Sequence, residues 1–248
     1  MDVRIYKINT GITGRNFSSD KRSNFPIGGK TNSFYSISNL MRGIEDFYLE
    51  GNLYFIDKEE ELEKFYNPLG DRWVAKKKYY ISHPKKEREN YLLEASKFHE
   101  YIVREQLEEI ANYLHHELNI NYLKIEAEEG NDFSHYTNVA IEEMNLNDEG
   151  KVELKGDKTL EIKWSENVNS QNEFLWIDDF EGLVNKVQEL KASNKRGEKE
   201  GLEGNSLGER GISYILEIDN SFGISEKIGK KIGVNHAWLK KCSFKLVF

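Results

Sequence analysis

Two short segments place a glutamate two residues before a lysine: Glu153 with Lys155, and Glu161 with Lys163. Along a strand, residues i and i+2 share one face, so each pair sets a hard oxygen ligand beside an ammonium group. In such a pair the carboxylate is a ligand for a hard divalent cation and the ammonium a donor beside it. Asp148 lies just upstream as a further carboxylate. The same residues have a plainer use. Residues 151–164 read as a β-hairpin, and a midpoint at Lys158 sets Glu153 against Lys163 and Lys155 against Glu161 as cross-strand ion pairs. A midpoint one residue earlier would set Glu153 against Glu161, so the first register is expected.

The Glu-x-Lys pair resembles the strand-end pair of metal-dependent nucleases of the PD-(D/E)xK type, which draw an Asp from the preceding strand. The resemblance implies a catalytic set of Asp148, Glu161 and Lys163 with Mg²⁺ as cofactor. Outside that reading no cofactor and no metal site are expected. The order of long helix, several strands, helix and strand is compatible with such a core. The pattern is short, however: about 32 Glu and 26 Lys yield roughly three such triplets by chance, and the chain holds three.

Cations interleaved with aromatics raise a second chemistry. Arg72, Trp73, Lys76, Lys77, Lys78, Tyr79 and Tyr80, with His83, Lys85, Lys86 and Arg88 after them, are the mixture that grips single-stranded nucleic acid by phosphate contact and base stacking. An acidic protein surface would suit them equally. Near the C-terminal end, residues 228–239 resemble a helix-turn-helix unit, with Gly233 at the turn and Lys230 and Lys231 placed for phosphate contact. Its second helix has room only from about His236 to Lys241 before a strand-like end, so a helix and edge strand at a basic surface is the expectation. Other fragments lack what their chemistry needs. Gly28-Gly29-Lys30-Thr31 has Asn24 where a phosphate loop wants its first Gly, and His99-Glu100 and His116-Glu117 are followed by Val103 and Ile120 where a zinc helix needs its second His. Cys242 has only distant candidate bases.

The elements that position these residues follow from periodicity. Strands are expected at residues 3–6, 52–56, 122–127, 136–141 and 174–177, with an extended stretch over 72–82. Apolar residues from Leu92 to Leu118 recur at helical spacing, predicting a helix near 89–118 whose remaining faces carry Glu100, Glu105, Glu108, Glu109 and Glu117 towards solvent. A shorter helix is expected over residues 36–48. Another should start behind Asp178 or Asp179 as N-cap. Glycines 197, 201, 204 and 208 among polar residues mark 192–210 as a mobile loop, after which a helix-strand tail occupies 211–248. The fold class is therefore α+β: a largely antiparallel sheet packed with one long amphipathic helix and several shorter helices, in a single domain of residues 1–248.

Charge is sorted along the 248 residues. Residues 89–185 carry 23 Asp and Glu against 7 Lys and Arg, a net of -16 within an overall -8, and both flanks are basic. The single cysteine excludes an internal disulfide and fits a cytoplasmic protein, and no apolar run approaches the ~20 residues of a membrane span. Charge asymmetry speaks to partners more than to fold. The function expected is a soluble protein-interaction or self-assembly module, a homo-oligomer or a binder of another protein, in which surfaces of opposite charge meet. The alternatives are the metal-dependent nuclease and a non-catalytic nucleic-acid-binding protein using Arg72, Lys76, Lys77, Lys78, Lys230 and Lys231.

Overall fold

Short runs of β-branched and aromatic residues build two separate sheets. The computed structural model describes residues 3–8, 53–56, 59–68, 73, 78–127, 144, 146, 149–156, 158–165, 174–199, 212–219, 221–234 and 241–248. By backbone contacts the chain forms two compact units, Met1–His99 with Ser221–Leu239, and Glu100–Asn220 with Lys240–Phe248. The architecture is α+β, and every described strand pair is antiparallel except one.

In the first unit, β1 (Ile5–Ile8) is buried along its whole length. It lies between β2 (Leu53–Ile56), its parallel neighbour, and β3 (Tyr79–Ser82), with β4 (Leu92–Glu94) outermost. A single turn of helix, α1 (Glu59–Leu62), follows β2. Tyr6, Ile8, Ile56, Tyr80 and Leu92 share one sheet face and form a core with Leu62, against which Phe65 and Trp73 pack. Lys7 points to the other face and is buried there. Its ammonium group donates to Tyr79 Oη at 3.3 Å and sits 5.0 Å from that ring's centroid, which replaces part of the hydration it gives up.

The second unit holds a five-stranded sheet in the order β6-β7-β5-β9-β8, antiparallel throughout. Its strands are β5 (Tyr122–Ala127), β6 (Lys151–Lys155), β7 (Thr159–Lys163), β8 (Ser213–Asp219) and β9 (Lys241–Val247). The inner face presents Leu123, Ile125, Leu160, Ile162, Leu216, Ile218, Phe244 and Leu246, all buried. The long helix α2 (Phe98–Leu118) belongs to this unit from Glu100 onward, and its stripe of Ile102, Val103, Leu107, Ile110, Ala111 and Leu114 is buried too. It begins nine residues later than the periodicity suggests, because the backbone of Leu92–Glu94 is taken by pairing with β3. The second long helix, α3 (Glu181–Lys199), runs eight residues into the stretch 192–210 expected as a loop. In the first unit α4 (Glu226–Ile232) is capped by Ser225, which accepts from Ile228 N–H, and closes on Gly233 at φ 85°. The tail thus supplies a helix and two sheet strands. The helix expected at 36–48, the strand at 136–141 and the glycine-lysine segment 28–31 lie outside the described residues.

Two further expectations are corrected. Phe174 to Ile177 is not a strand: Ile177–Phe180 forms a 3-10 turn that leads into α3. Neither Asp178 nor Asp179 caps it. The cap comes from α2, where the Glu109 carboxylate accepts from Leu175 N–H at 2.7 Å, from Ile177 N–H at 2.6 Å and from Trp176 N–H. Glu105 beside it accepts from Trp176 Nε1–H at 2.8 Å. A helix start leaves N–H groups without intrahelical partners, and a distant carboxylate answers them here in place of a local side chain.

The hairpin register is the other correction. The structure sets Glu153 opposite Glu161 and Lys151 opposite Lys163. The turn decides it. Gly156 adopts φ 67°, a left-handed conformation that other residues rarely accept. The expected register would require Gly156 as a paired strand residue in a three-residue loop, whereas the observed one places it in the turn between Lys155 and Thr159. Both registers keep Val152, Leu154, Leu160 and Ile162 on one face, so burial does not oppose the choice.

Replacing Glu109 with Ala is expected to cost roughly 2–4 kcal/mol in urea denaturation, since three donors at the start of the 3-10 turn lose their acceptor. Glu109→Gln, which keeps one carbonyl oxygen, should cost about half as much. A loss below about 0.5 kcal/mol for the Ala variant would mean that water serves the helix start equally well.

Candidate functional site

The outward face of the five-stranded sheet collects most of the residues whose chemistry the sequence raises. Alternation along each strand sends the apolar residues inward and leaves Lys151, Glu153 and Lys155 on β6, Glu161 and Lys163 on β7, Tyr122, Lys124 and Glu126 on β5, Lys245 on β9, and Ile215 and Glu217 on β8. One cross-strand row reads Glu153, Glu161, Lys124, Val247, Ser213. The next reads Lys155, Thr159, Glu126, Lys245, Ile215. Ile215 is 49% exposed, one of three large apolar side chains exposed among the described residues, with Tyr54 and Tyr66 of the first unit.

Charges on this face pair along strands more than across them. Lys155 bonds Glu153 on its own strand, and Lys163 Nζ stands 3.7 Å from Glu161 Oε2. Lys124 Nζ lies 2.5 Å from Glu126 Oε1, while Lys245 reaches Glu126 Oε2 across the strands at 3.3 Å. The hydrogen bond from Lys124 therefore holds the Glu126 carboxyl below its ordinary range, and the one from Lys155 does the same for Glu153. Tyr122 moves the other way: partial burial and then the Glu161 charge disfavour the phenolate. Directly across β6 and β7, Lys151 meets Lys163 and Glu153 meets Glu161. Like charges in that position oppose pairing.

For the nuclease set, Glu161 and Lys163 are neighbours on this open face, the lysine side chain 63% exposed. Asp148 lies outside the described residues. Among the described residues no group of three or more His, Cys, Asp or Glu side chains converges at metal-binding distance. The histidines have other settings. His115 stacks flat on Trp164 at 4.6 Å with Nδ1 2.5 Å from Ile120 O, and His99 meets Phe98 edge-on and Phe222 at a tilt.

Of the basic residues, Arg72, Lys76 and Lys77 lie outside the described residues. Lys78 is engaged, its Nζ 2.5 Å from Glu94 Oε2. Burial alone would raise the Glu94 pKa, yet hydrogen bonds from Lys78 and Ser96 bring it below the ordinary value. Trp73 meets Tyr80 edge-on at 5.2 Å; Tyr80 is fully buried and Trp73, half-buried, packs against the core. Lys230 and Lys231 are exposed in the last turn of α4, where cations complement the helix dipole. A long second helix after Gly233 is excluded, since β9 begins at Lys241.

Much of the acidic segment is spent internally. Glu108 meets Arg104 at 3.4 Å and Glu117 meets Lys191 at 2.6 Å, besides the carboxylates already placed. Sequence reasoning set Glu109 on a solvated helix face, but its partners are backbone groups 66 to 68 residues away. Burial first, and then the Glu105 charge, raise the Glu109 pKa in spite of three N–H donors.

These directions fix the acid response. Glu126 and Glu153, with folded pKa values below 4.5, contribute stability that is present above the unfolded value and lost as pH falls through the folded one. Glu109, raised above 4.5, does the reverse: its contribution is full below the unfolded value and fades as pH rises through the folded one. NMR titration of the side-chain carboxyls is expected to place Glu126 and Glu153 below 4.5 and Glu109 above it. Lys124→Gln should raise Glu126 and leave Glu109 where it is.

No described helix is long and apolar enough to cross a membrane. Comparison with family models, with curated proteins and with solved structures finds no match, so no function comes to this chain from a relative.

Proposed function

We propose that this chain is a protein-interaction module that self-associates through the exposed sheet surface of its second unit, with opposite charges meeting across the contact. The observation that carries the reading is the pair of like-charge juxtapositions, Lys151 on Lys163 and Glu153 on Glu161, held at an exposed surface by the Gly156 turn. Like charges directly opposite one another oppose strand pairing within one molecule, even with a lysine beside each glutamate on its own strand. A partner that brings the opposite charge alongside offsets this cost, so the surface gains more from contact than an evenly paired face would.

The reading narrows what the charge sorting along the chain suggests. Described carboxylates of the acidic stretch are engaged by neighbours at Glu94, Glu105, Glu108, Glu109, Glu117 and Glu126. Association is therefore ascribed to a mixed-charge surface, with no acidic face set against a basic one.

Light scattering across protein concentration is expected to show association at low ionic strength that weakens through physiological salt, where the screening length is ~8 Å. A monomer at both ionic strengths, with no protein partner recovered from the host, overturns the reading.

A further inference from the structure

We infer that two copies of the chain join through β6, pairing antiparallel about a twofold axis at Val152 so that their five-stranded sheets become continuous. The inference rests on the self-association reading and names its surface and register. In the order β6-β7-β5-β9-β8 the outer edge of β6 pairs with no strand among the described residues. Lys151, Glu153 and Lys155 on it are exposed, with Val152 and Leu154 half-buried between them. An exposed strand edge presents a row of backbone donors and acceptors ready for another chain.

Charge selects the register. Aligning β6 fully with its copy, about Glu153, would set Glu153 on Glu153 and Lys151 on Lys155, so every charged pair repels. Moving the axis to Val152 sets Lys151 of each copy on Glu153 of the other, Val152 on Val152, and Leu154 on Gly150. Both charged contacts are then attractive, and each also relieves the like-charge neighbour on β7: Lys151 lies between Lys163 and a glutamate, and Glu153 between Glu161 and a lysine. An axis at Leu154 would instead set Val152 on Gly156, whose φ of 67° takes it out of the strand. The other edge lacks this property. β8 exposes Ser213, Ile215, Glu217 and Asp219, which supply no cation to meet a second copy. Charged side chains can blunt an edge, but on β6 the alternation of sign lets them attract a copy in the Val152 register. The contact is isologous and closes at two subunits. With so few residues in the strand, the dimer is expected to be weak and strongly concentration-dependent.

A charge swap tests this in the full chain. By sedimentation equilibrium the wild type should dimerise. Lys151→Glu should weaken dimerisation at least tenfold by setting glutamate on glutamate twice, and the double variant Lys151→Glu/Glu153→Lys should restore it. Loss of folding is not the expected cause, because each change turns a like-charge pair with β7 into an opposite-charge pair, which offsets the Glu153–Lys155 bond that the double variant gives up, and urea denaturation should show a cooperative folded state for both variants. Association unaffected by Lys151→Glu overturns the β6 contact and leaves the self-association reading standing. Loss with no recovery in the double variant overturns the Val152 register, while a monomeric wild type overturns both the inference and the reading beneath it.

Discussion

The second unit depends on one carboxylate doing the work of a helix cap from another element. Glu109 sits in the middle of α2 and accepts from three successive backbone N–H groups that open the turn into α3. Those donors cannot be satisfied by hydrogen bonds within the helix they begin, so the position of α3 is tied to a residue of α2. Glu105 one turn earlier holds the Trp176 indole, and Lys191 on α3 returns to Glu117 near the end of α2. The contacts span Glu105 to Glu117 on α2 and reach the segment Leu175–Ile177 that leads into α3 and Lys191 within it. Charge-assisted bonds thus tie α2 to the entry of α3 and to Lys191 within it.

That arrangement changes the meaning of the acidity in residues 89–185. A run of glutamates on a helix ordinarily marks a solvated face, but Glu105, Glu109 and Glu117 have structural partners. The electrostatic result is uneven. Burial makes the charged form of Glu109 costly, while lysines stabilise the charged forms of Glu126 and Glu153 at the surface. Acid therefore acts on the unit in two opposing ways, loosening the surface pairs as it lowers the cost of the buried carboxyl.

Features set by local chemistry were legible in the sequence. Strands 53–56 and 122–127, the hairpin at 151–164, Ser225 with the short helix behind it and the final strand all follow from alternation, capping and turn residues. What was not legible depended on distant partners. Residues 92–94 carry helical spacing yet pair with β3, because the hydrogen bonds of an existing strand outweigh a weak local preference. The cap of α3 could not be read locally when its acceptor stands 66 residues upstream. Of the proposed metal set, Glu161 and Lys163 were legible as neighbours on a strand face because two-residue alternation ensures it. Their surroundings were not, since the partners on β5 and β6 come from register.

Register is also where local and long-range forces disagree. Opposite charges favoured a hairpin in which Glu153 meets Lys163, an arrangement worth at most about 1 kcal/mol per pair at an exposed site. Forcing Gly156 into the strand would give up the left-handed turn that only glycine adopts readily, together with the existing pairing of Val152 with Ile162 and Leu154 with Leu160. The turn prevails, and the unfavourable charge contacts remain at the surface as its consequence. A monomer that needed only solubility could remove them by exchanging a lysine and a glutamate, because exposed positions tolerate such changes at little cost. Their placement along the one described edge strand of this sheet whose alternation complements itself is the strongest physical reason for assigning that edge to a second copy.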